Sequence, residues 1–381
     1  MFFWILSNSL SVMVALGWGR IHSDLSRWAQ GYTLERLSAL PTGPFEVSVV
    51  IPARDEAHNI QSCLDSLICS EGVQLQVIVV DDGSIDDTRL LVEECCAIEP
   101  TVSLIQLEEH PSSWSGKSRA CWEGAKVARH EWLLFLDADV RVHPEALART
   151  CQYAYDNQVG LLSVFGTWEL VSIWERMLIP TIGWFIRGTV GLTEVNHGKK
   201  AFANGQYMLF QKATYQHING HQSVRGAVLD DVGLARVVTQ AGEKLALLSA
   251  SWCFRVRLYR GLWEIIFGYS KNLFEGMDRN GFVALFSIVF LVLFSILPMV
   301  MLGVSLHYMH LSAAVLWFAS VVMMMGFRYR LERRDHRDNA LIFSVIHPIG
   351  VAVFIGIILN SMIRRRVHWK GRVFDKGQMR R

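Results

Sequence analysis

A long uncharged and apolar stretch near the C-terminal end of this 381-residue chain constrains the fold more than any other feature. Phe282–Leu306 holds 25 residues without an acidic or basic side chain. A helix of about 20 apolar residues crosses the hydrocarbon core of a bilayer. Leu311–Phe327 and Asn339–Ile363 are also uncharged. We therefore predict C-terminal membrane segments within residues 282–363; a buried core helix is the alternative that this length disfavours.

The first residues of the chain predict a second membrane contact. Met1–Gly19 is uncharged, but it lacks the basic start and the small-residue cleavage site of a signal peptide, so we predict an N-terminal membrane anchor over residues 1–19. Its polar residues leave a buried core helix as the alternative. Basic residues follow this segment, separate the last two apolar segments and fill residues 364–381. Because basic loops favour the cytoplasmic side, we predict an integral inner- or plasma-membrane protein with a cytoplasmic central domain and tail.

At the segment Asn339–Ile363, the number of predicted membrane crossings conflicts with the rule that basic loops lie on the cytoplasmic side. Three crossings after a cytoplasmic domain would leave the basic tail outside the membrane. Pro348 removes a helical hydrogen bond, and Gly350 loosens the chain near the centre of the segment. We predict a re-entrant or interfacial helical hairpin here; three true spans with an external tail are the alternative. We also predict an interfacial helical region at residues 253–280, where aromatic and charged side chains alternate.

Composition excludes several classes of protein. The chain is 51% hydrophobic and 19% charged, which is too apolar for an ordinary soluble enzyme. Its net charge of +2 gives no reason to expect nucleic-acid binding. The seven cysteines include no C-x-x-C pair, so a reducing compartment fits better than a disulfide framework or a zinc site. His197, His217 and His221 match no metal-site spacing, and we interpret them as loop or core residues.

The central region carries the pattern of an α/β domain. Val47–Ile51, Leu75–Val80 and Trp132–Leu136 are short apolar runs with little alternation, as expected of strands buried on both faces of a parallel sheet. Helix-like stretches separate these strands, and their ranges are Ala57–Cys69, Thr88–Ile98 and Ser118–Ala128. Strands that alternate with helices predict an open α/β sheet covered on both faces.

Polar side chains follow each of the three predicted strands. Arg54-Asp55-Glu56 comes after the first, Asp81-Asp82-Gly83-Ser84 after the second and Asp137-Ala138-Asp139 after the third. Ligands of open α/β sheets bind at the carboxyl ends of the strands, so the three clusters are expected to converge. A helix N-cap explains one such aspartate, but three clusters in succession indicate a site.

Two carboxylates at positions i and i+2 favour a divalent cation. Oxygen ligands suit Mg²⁺ or Mn²⁺, and Mg²⁺ is commonly shared between one or two carboxylates and substrate phosphates. Asp137 and Asp139 thus suit a cation that bridges a nucleotide diphosphate. No Walker P-loop and no G-x-G-x-x-G opens the first helix, which argues against an NTPase and a dinucleotide enzyme.

Four motifs in this order resemble the inverting family 2 glycosyltransferases with a nucleotide-sugar-binding, GT-A type fold. They read VSVVIPARDEAHNIQSCLDSL, VIVVDDGSIDDT, GKSRACWEGAKVARHEWLLFLDADV and LDDVGLARVVTQAG. The similarity covers about residues 47–250 and implies a glycosyltransferase domain over residues 45–252. The stretches W-S-G-K, R-L-Y-R-G-L-W-E and W-K-G-R are similar to membrane-bound members that glycosylate lipids, including hopanoid-associated and carotenoid glycosyltransferases.

The resemblance assigns roles to single positions. The residues implied to contact the nucleotide-sugar are Pro52, Ala53, Arg54, Glu56, Asp81, Asp82 and Asp137. It implies that Asp137 and Asp139 are the metal-binding D-x-D motif and that Asp231 is the catalytic base. Asp230 stands where the family commonly has Glu, so its role is open. An inverting reaction requires one carboxylate that takes the proton of the acceptor hydroxyl.

Two further positions have open alternatives. Lys117 either reaches the diphosphate as a point charge or is a solvated lysine at a helix start. Asn204-Gly205 either brings the backbone close to the sugar or acceptor, because glycine permits close approach, or marks a plain β-bulge.

These observations predict a metal-dependent inverting glycosyltransferase that moves a sugar from a nucleotide diphosphate to a membrane-lipid hydroxyl, with Mg²⁺ or Mn²⁺ as cofactor. Its expected partners are the nucleotide-sugar donor, the lipid acceptor and the bilayer, without nucleic acid. A processive polysaccharide synthase is one alternative, disfavoured because no Q-x-x-R-W motif follows Asp231. A non-catalytic membrane scaffold or sugar-binding protein is the other, disfavoured because all the implied catalytic carboxylates are present.

Overall fold

The computed structural model describes residues 2–35, 41, 45–108, 114–334, 338–363, 366–369 and 372–375. The chain divides into two compact units. The first, here called the helical unit, comprises Met1–Gly31, Leu170–Thr189 and Tyr259–Arg365. The second, here called the sheet unit, comprises Tyr32–Glu169, Val190–Leu258 and Arg366–Arg381.

The strands lie in the sheet unit. They are β1 (Phe45–Ala53), β2 (Val73–Asp81), β3 (Val102–Gln106), β4 (Trp132–Leu136), β5 (Val140–Val142), β6 (Leu161–Phe165), β7 (Thr167–Trp168), β8 (Tyr207–Gln211), β9 (Leu245–Ser249), β10 (Phe254–Val256), β11 (Arg366–Trp369) and β12 (Arg372–Asp375). A seven-stranded sheet has the order β3-β2-β1-β4-β8-β6-β9, and β5-β10-β7 and β11-β12 form two smaller sheets. In the large sheet, β8 is antiparallel to both neighbours, and the remaining pairings are parallel.

The helices alternate with the strands and then dominate the C-terminal region. They are α1 (Phe2–Gly31), α2 (Ile60–Ile68), α3 (Thr88–Ile98), α4 (Gly116–Val127), α5 (Ala146–Asp156), α6 (Ile173–Val190), α7 (Leu192–Asn196), α8 (Lys212–His217), α9 (Asp230–Gln240), α10 (Leu262–Gly276), α11 (Gly281–Leu291), α12 (Leu297–His307), α13 (Leu311–Arg334), α14 (Ala340–Val345) and α15 (His347–Ile363). A 3₁₀ helix spans Gly220–Val224.

The predicted α/β fold is confirmed, and the three predicted strands correspond to β1, β2 and β4. Val49, Val77 and Leu134 in these strands are fully buried, as expected where helices cover both faces of a sheet. The prediction missed β3, because this edge strand mixes polar and apolar residues and only one of its five residues is buried. A search for continuous apolar runs passes over such a strand.

In the helical unit, α1 extends beyond the predicted anchor. The prediction ended at Gly19, where charged residues interrupt the apolar run, but the helix continues to Gly31. Charged residues end an apolar segment, but most of them are compatible with a helix. Its buried face is held by hydrogen bonds to other helices. Trp317 Nε1 donates to Ser7 Oγ at 2.8 Å, and Ser320 Oγ donates to the Ser11 carbonyl oxygen at 3.0 Å.

Within the described residues, two helical stretches are long and apolar enough to cross a membrane, by length and composition. They are Gly281–His307, of 27 residues, and Leu311–Arg333, of 23 residues. The first contains a π-helical turn at Val292–Ile296, which ends two residues before Pro298, whose missing N–H interrupts the regular hydrogen-bond ladder.

The remaining predicted membrane elements stay predictions. The segment 339–363 forms α14 and α15, which are separated at Ile346, so the helix is interrupted two residues before Pro348. Within the region 253–280, α10 has Ile265 buried and Trp263 exposed, which is an amphipathic arrangement. Of the predicted basic tail, residues 364–365, 370–371 and 376–381 lie outside the described residues.

Candidate active site

The ends of β1 and β2 bring the first two polar clusters together. Their parallel register pairs Pro52 with Val80 and Ala53 with Asp81, and the Asp82 amide donates to the Ala53 carbonyl oxygen at 2.9 Å. Arg54 follows directly. Its Nη1 donates to the Asp82 carbonyl oxygen at 2.7 Å and lies 3.8 Å from Asp82 Oδ2. The convergence expected of parallel strands is therefore observed here.

Asp81 and Glu56 are held by local hydrogen bonds. Asp81 Oδ1 accepts from the Ser84 amide at 3.1 Å and contacts the Ser84 hydroxyl, so this carboxylate closes the turn after β2. Glu56 Oε2 accepts from Asn59 Nδ2 at 2.8 Å, and the Glu56 amide donates to Thr88 Oγ1 at 2.7 Å. An aspartate followed by a glycine and a serine within three residues is a local turn signal, which could have marked Ser84 as the partner of Asp81.

The D-x-D pair follows β4. Lys117 Nζ lies 2.5 Å from Asp137 Oδ1. Asp139 Oδ1 is buried and, among the residues that the structure describes, has no hydrogen-bond partner. Burial, followed by the charges of Asp137 and Glu56, raises the pKa of Asp139 to about 8. Carboxylates crowded in this way with an oxygen left unpaired are a donor set that suits a hard cation.

The two carboxylates alone are an incomplete ligand set. In the described part of the chain, no group of three or more His, Cys, Asp or Glu side chains is arranged to hold a metal ion. A cation at Asp137 and Asp139 would therefore need further oxygen donors, which water and substrate phosphates supply in many Mg²⁺ sites. The residues fit a shared cation and do not fit an all-protein metal cage.

Lys117 is placed by the start of α4. Ser115 caps this helix by accepting from the Ser118 amide at 3.1 Å, which sets Lys117 in the first turn. Burial disfavours the charged ammonium, but Asp137 and then Asp230 outweigh it and raise the pKa of Lys117 well above its usual value. Lys117 is thus a paired cation at the end of β4, and the interpretation as a freely solvated lysine is wrong for this conformation.

Asp231 is held at the start of α9 by two backbone amides. Gly205 N donates to Asp231 Oδ2 at 3.0 Å, and Val232 N donates to Oδ1 at 2.8 Å. Burial, followed by the charge of Asp230, raises the pKa of Asp231 to about 6, although Lys117 and the two amide hydrogen bonds oppose the shift. A carboxylate with this pKa is largely ionised at neutral pH and is a stronger base than an ordinary aspartate.

Gly205 explains how Asp231 reaches this position. A Cβ atom on Gly205 would lie 2.9 Å from Asp231 Oδ2 and 3.2 Å from Asp231 Cβ, closer than real Cβ atoms tolerate without movement. The close approach predicted for this glycine is therefore present, but its partner within the protein is the aspartate. The next residue, Gln206, accepts at its carbonyl oxygen from the Asp137 amide at 3.3 Å. One turn thus contacts both the D-x-D segment and Asp231.

Asn204 is engaged in holding the sheet. Its Nδ2 donates to the Val164 carbonyl oxygen at 2.8 Å, and its amide N donates to Ser163 Oγ at 2.8 Å. These bonds fix the turn before β8 against β6. Sequence reasoning missed Ser163, because a single serine in a buried strand carries no signal for a partner 41 residues away.

The fold and this site define a class of protein. A mainly parallel, Rossmann-like sheet with acidic groups at the carboxyl ends of its strands is the nucleotide-sugar-binding GT-A architecture. A mannosyltransferase from Pyrobaculum calidifontis, solved with GDP-Man and Mn²⁺, has this fold. It matches with a TM-score of 0.52 at 16% sequence identity and covers 92% of this chain and 98% of its own.

Sequence comparison matches the central part of the chain to a known family. Residues 48–218 match the family described as Glycosyl transferase family 2. The chain therefore contains a family 2 glycosyltransferase domain, and the protein is a glycosyltransferase. It is 26% identical over 337 residues to a 4,4'-diaponeurosporenoate glycosyltransferase of Staphylococcus haemolyticus, which covers 86% of this chain and 88% of the relative. A relative of the same name from Staphylococcus aureus is 26% identical over 341 residues, with the same coverage.

Proposed function

We propose that this glycosyltransferase uses a divalent cation to transfer a sugar, with inversion, from a nucleotide diphosphate to an apolar membrane-lipid hydroxyl of the carotenoid type. Asp231 is the general base in this proposal, and Asp137 and Asp139 hold Mg²⁺ or Mn²⁺. The observation that carries it is the single turn at Gly205 and Gln206, which binds the Asp231 carboxylate on one side and the Asp137 backbone on the other.

The base assignment follows from the state of Asp231. Its raised pKa of about 6 leaves it ionised at neutral pH, while its affinity for a proton exceeds that of an exposed aspartate. The amides of Gly205 and Val232 fix both carboxylate oxygens, so little reorientation is needed before proton transfer. In-line attack by the acceptor oxygen then releases the nucleoside diphosphate.

The metal assignment follows from unbalanced charge. Asp137 is paired with Lys117, whereas burial and neighbouring carboxylates raise the pKa of Asp139. A bound cation would relieve this repulsion and would stabilise the negative charge that develops on the leaving diphosphate. Lys117 is placed to exchange part of its contact with Asp137 for a phosphate oxygen.

Residues at the ends of β1 and β2 are the proposed nucleotide contacts. Pro52, Ala53 and Arg54 line the end of β1, and Arg54 holds Asp82 beside them. Asp82 is 3% exposed, and in this proposal its carboxylate accepts a hydrogen bond from the base or ribose. Asp81 supports it indirectly, because its carboxylate closes the turn with Ser84. Glu56 adds negative charge near Asp139.

The acceptor class rests on two observations. The two staphylococcal relatives are named for a carotenoid-type carboxylate, which supports the long apolar part of the acceptor, whereas the hydroxyl is proposed from the presence of a base. In addition, α10 exposes Trp263 and Phe267, whose rings stack with centroids 6.2 Å apart. Exposed aromatic pairs beside charged residues suit the headgroup region of a bilayer. We place the protein in the inner or plasma membrane, with the catalytic domain on the cytoplasmic side, where nucleotide-sugars are made.

Calorimetry with Mn²⁺ and either UDP or GDP tests the metal assignment. Asp139→Ala should abolish metal-dependent nucleotide binding and turnover, because the cation loses a ligand. Asp156→Ala is the matched control, since this exposed aspartate of α5 lies on the surface and accepts a local hydrogen bond from Gln152. Unchanged Mn²⁺-dependent binding together with retained activity in Asp139→Ala would contradict the metal assignment.

Asp231→Asn tests the base and the acceptor together. We expect nearly unchanged donor binding and a kcat that is roughly 10²–10⁴-fold lower, which is the usual contribution of a positioned base. Retinol and retinoic acid serve as probe acceptors, because they share a polyene and differ in the attacking group. A carboxylate is already ionised at pH 7 and needs no base. Loss of transfer to retinol but not to retinoic acid confirms the role, and equal activity of variant and wild type on retinol refutes it.

A further inference from the structure

A fully buried histidine lies behind the two aspartates at the start of α9. His221 belongs to the 3₁₀ helix Gly220–Val224 and is 0% exposed. Its ring packs edge-on against Phe135 of β4, with centroids 4.5 Å apart. This burial confirms His221 as a core residue, but its polar contacts go beyond those of a packing residue.

Tyr215 fixes the protonation pattern of His221. The phenol oxygen accepts from the His221 backbone amide at 3.1 Å and lies 2.9 Å from His221 Nδ1. A phenol oxygen can accept from this amide and still donate its single proton to Nδ1, and the Asp230 carboxylate on the Nε2 side of the ring favours this arrangement over a proton on Nδ1. In the neutral ring, the proton is then on Nε2.

Gly220 makes the contact between Tyr215 and His221 possible. Its φ of +42° lies in a region that favours glycine. A Cβ atom on Gly220 would lie 2.2 Å from Cζ of Tyr215, which no side chain permits. Gly220 therefore allows the Tyr215 phenol to lie directly against the His221 backbone.

The other side of the imidazole faces Asp230. His221 Nε2 lies 3.9 Å from Asp230 Oδ2. Among the described residues, neither atom has a hydrogen-bond partner, and both are buried. A direct hydrogen bond needs about 2.9 Å, so a shift of about 1 Å would form one. Burying a hydrogen-bond donor and an acceptor without partners costs free energy, and a hydrogen bond between the two would remove this cost.

The His221 ring is neutral in this environment. Burial lowers its pKa to about 4, although Asp230 opposes the shift. The ring is consequently uncharged at neutral pH, and only its Nε2–H is directed at the carboxylate. Asp230 directly precedes Asp231 at the start of α9, and its charge raises the pKa of Asp231, so the position of this carboxylate influences the proposed base.

We infer that His221 is a positioning residue whose Nε2–H, oriented by Tyr215, holds the carboxylate of Asp230 in place beside Asp231. The effect on catalysis rests on the proposed function, in which Asp231 is the general base. The inference also gives Asp230 a role. Tyr215 and His221 set the position of its carboxylate, and its charge in that position affects the proposed base.

Three variants separate this role from packing. His221→Phe keeps a ring and removes the donor, and we expect kcat to fall roughly tenfold or more with little change in donor affinity. His221→Gln restores an N–H donor and should recover most of kcat. His217→Gln is the control, because His217 is exposed and pairs with Glu243. Turnover is measured as transfer of radiolabelled sugar from UDP-glucose or GDP-mannose into a total lipid extract of the source cells.

A double-mutant cycle with Asp230→Asn tests the path of the effect. If His221 acts through Asp230, His221→Phe should lower kcat little further in the Asp230→Asn background. Full additivity of the two losses, or no loss in His221→Phe, overturns the inference. Asp231→Asn distinguishes the two proposals, since normal kcat in that variant refutes the base while leaving the coupling between His221 and Asp230 intact.

Nuclear magnetic resonance provides a test that needs no turnover. In protein labelled with ¹⁵N-histidine, the signals lost in His221→Gln identify His221. We expect the neutral form protonated on Nε2 at pH 7. Tyr215→Phe keeps the ring packing and should increase the fraction of rings protonated on Nδ1. A ring protonated on Nδ1, or a charged ring at pH 7, contradicts the arrangement.

Discussion

Gly205→Ala is the substitution whose effect can be worked out most directly from the structure. The new methyl group would lie 2.9 Å from Asp231 Oδ2 and 3.3 Å from Asp231 Cγ. Asp231 is held by backbone on both sides, so it must move away from Gly205. The hydrogen bond from the Gly205 amide, 3.0 Å long, is then weakened or lost.

The expected magnitude follows from that hydrogen bond. A hydrogen bond to a charged group contributes about 1.5–3 kcal/mol, and each 1.36 kcal/mol corresponds to a factor of ten in rate. We therefore expect kcat of Gly205→Ala to fall roughly 10- to 100-fold. Because the Gly205 amide stabilises the ionised Asp231, its loss should also raise the pKa of Asp231 above about 6. The acid limb of the pH profile should move to higher pH.

The assay measures kcat and donor KM between pH 5 and 9, together with the melting temperature. Gly188→Ala is the matched control, because a Cβ atom there meets nothing within 4 Å, and alanine is the better helix former. Equal kcat and an unmoved acid limb in Gly205→Ala would refute the reasoning, since they would mean that Asp231 is not the titrating base or does not depend on the Gly205 amide.

Three other predictions concern pH, charge and topology. Wild-type kcat should rise with pH through about 6 and then level off, because Asp231 must be ionised to act as a base. Lys117→Met should raise the donor KM roughly tenfold, seen in initial rates, because a phosphate loses a charged partner. Gln378→Cys in a cysteine-free chain should resist an impermeant thiol reagent in intact cells if segment 339–363 is a hairpin; labelling would place the tail outside.

The strands and their acidic ends were predictable because the signal is local. A strand buried on both faces must be continuously apolar, and a parallel strand must deliver its next residues to the ligand-binding edge. Two strand ends therefore followed from the sequence, and the register of Ala53 with Asp81 confirms that they meet. The edge strand β3 escaped prediction because solvent on one side allows polar residues.

The partners of Gly205 and His221 were not predictable, because they depend on the approach of distant segments. The Asn204-Gly205 motif predicts a close contact but not its partner. The partner is Asp231, because α9 begins 25 residues later and packs its first turn against Gly205. In the same way, the sequence does not predict the polar partners of His221. The fold brings Tyr215 to one ring nitrogen and Asp230 near the other.

The site behaves as one electrostatic unit around Lys117. Its ammonium pairs with Asp137 and opposes the rise in the pKa values of Asp139 and Asp231, while Asp230 raises the pKa of Lys117. A cation bound at the D-x-D pair would repel the ammonium from Asp137 and favour its contact with a phosphate. Donor binding would thereby alter the field at the base, so substitutions at Asp139 and Asp231 should be non-additive in kcat, as expected of groups that share a partner.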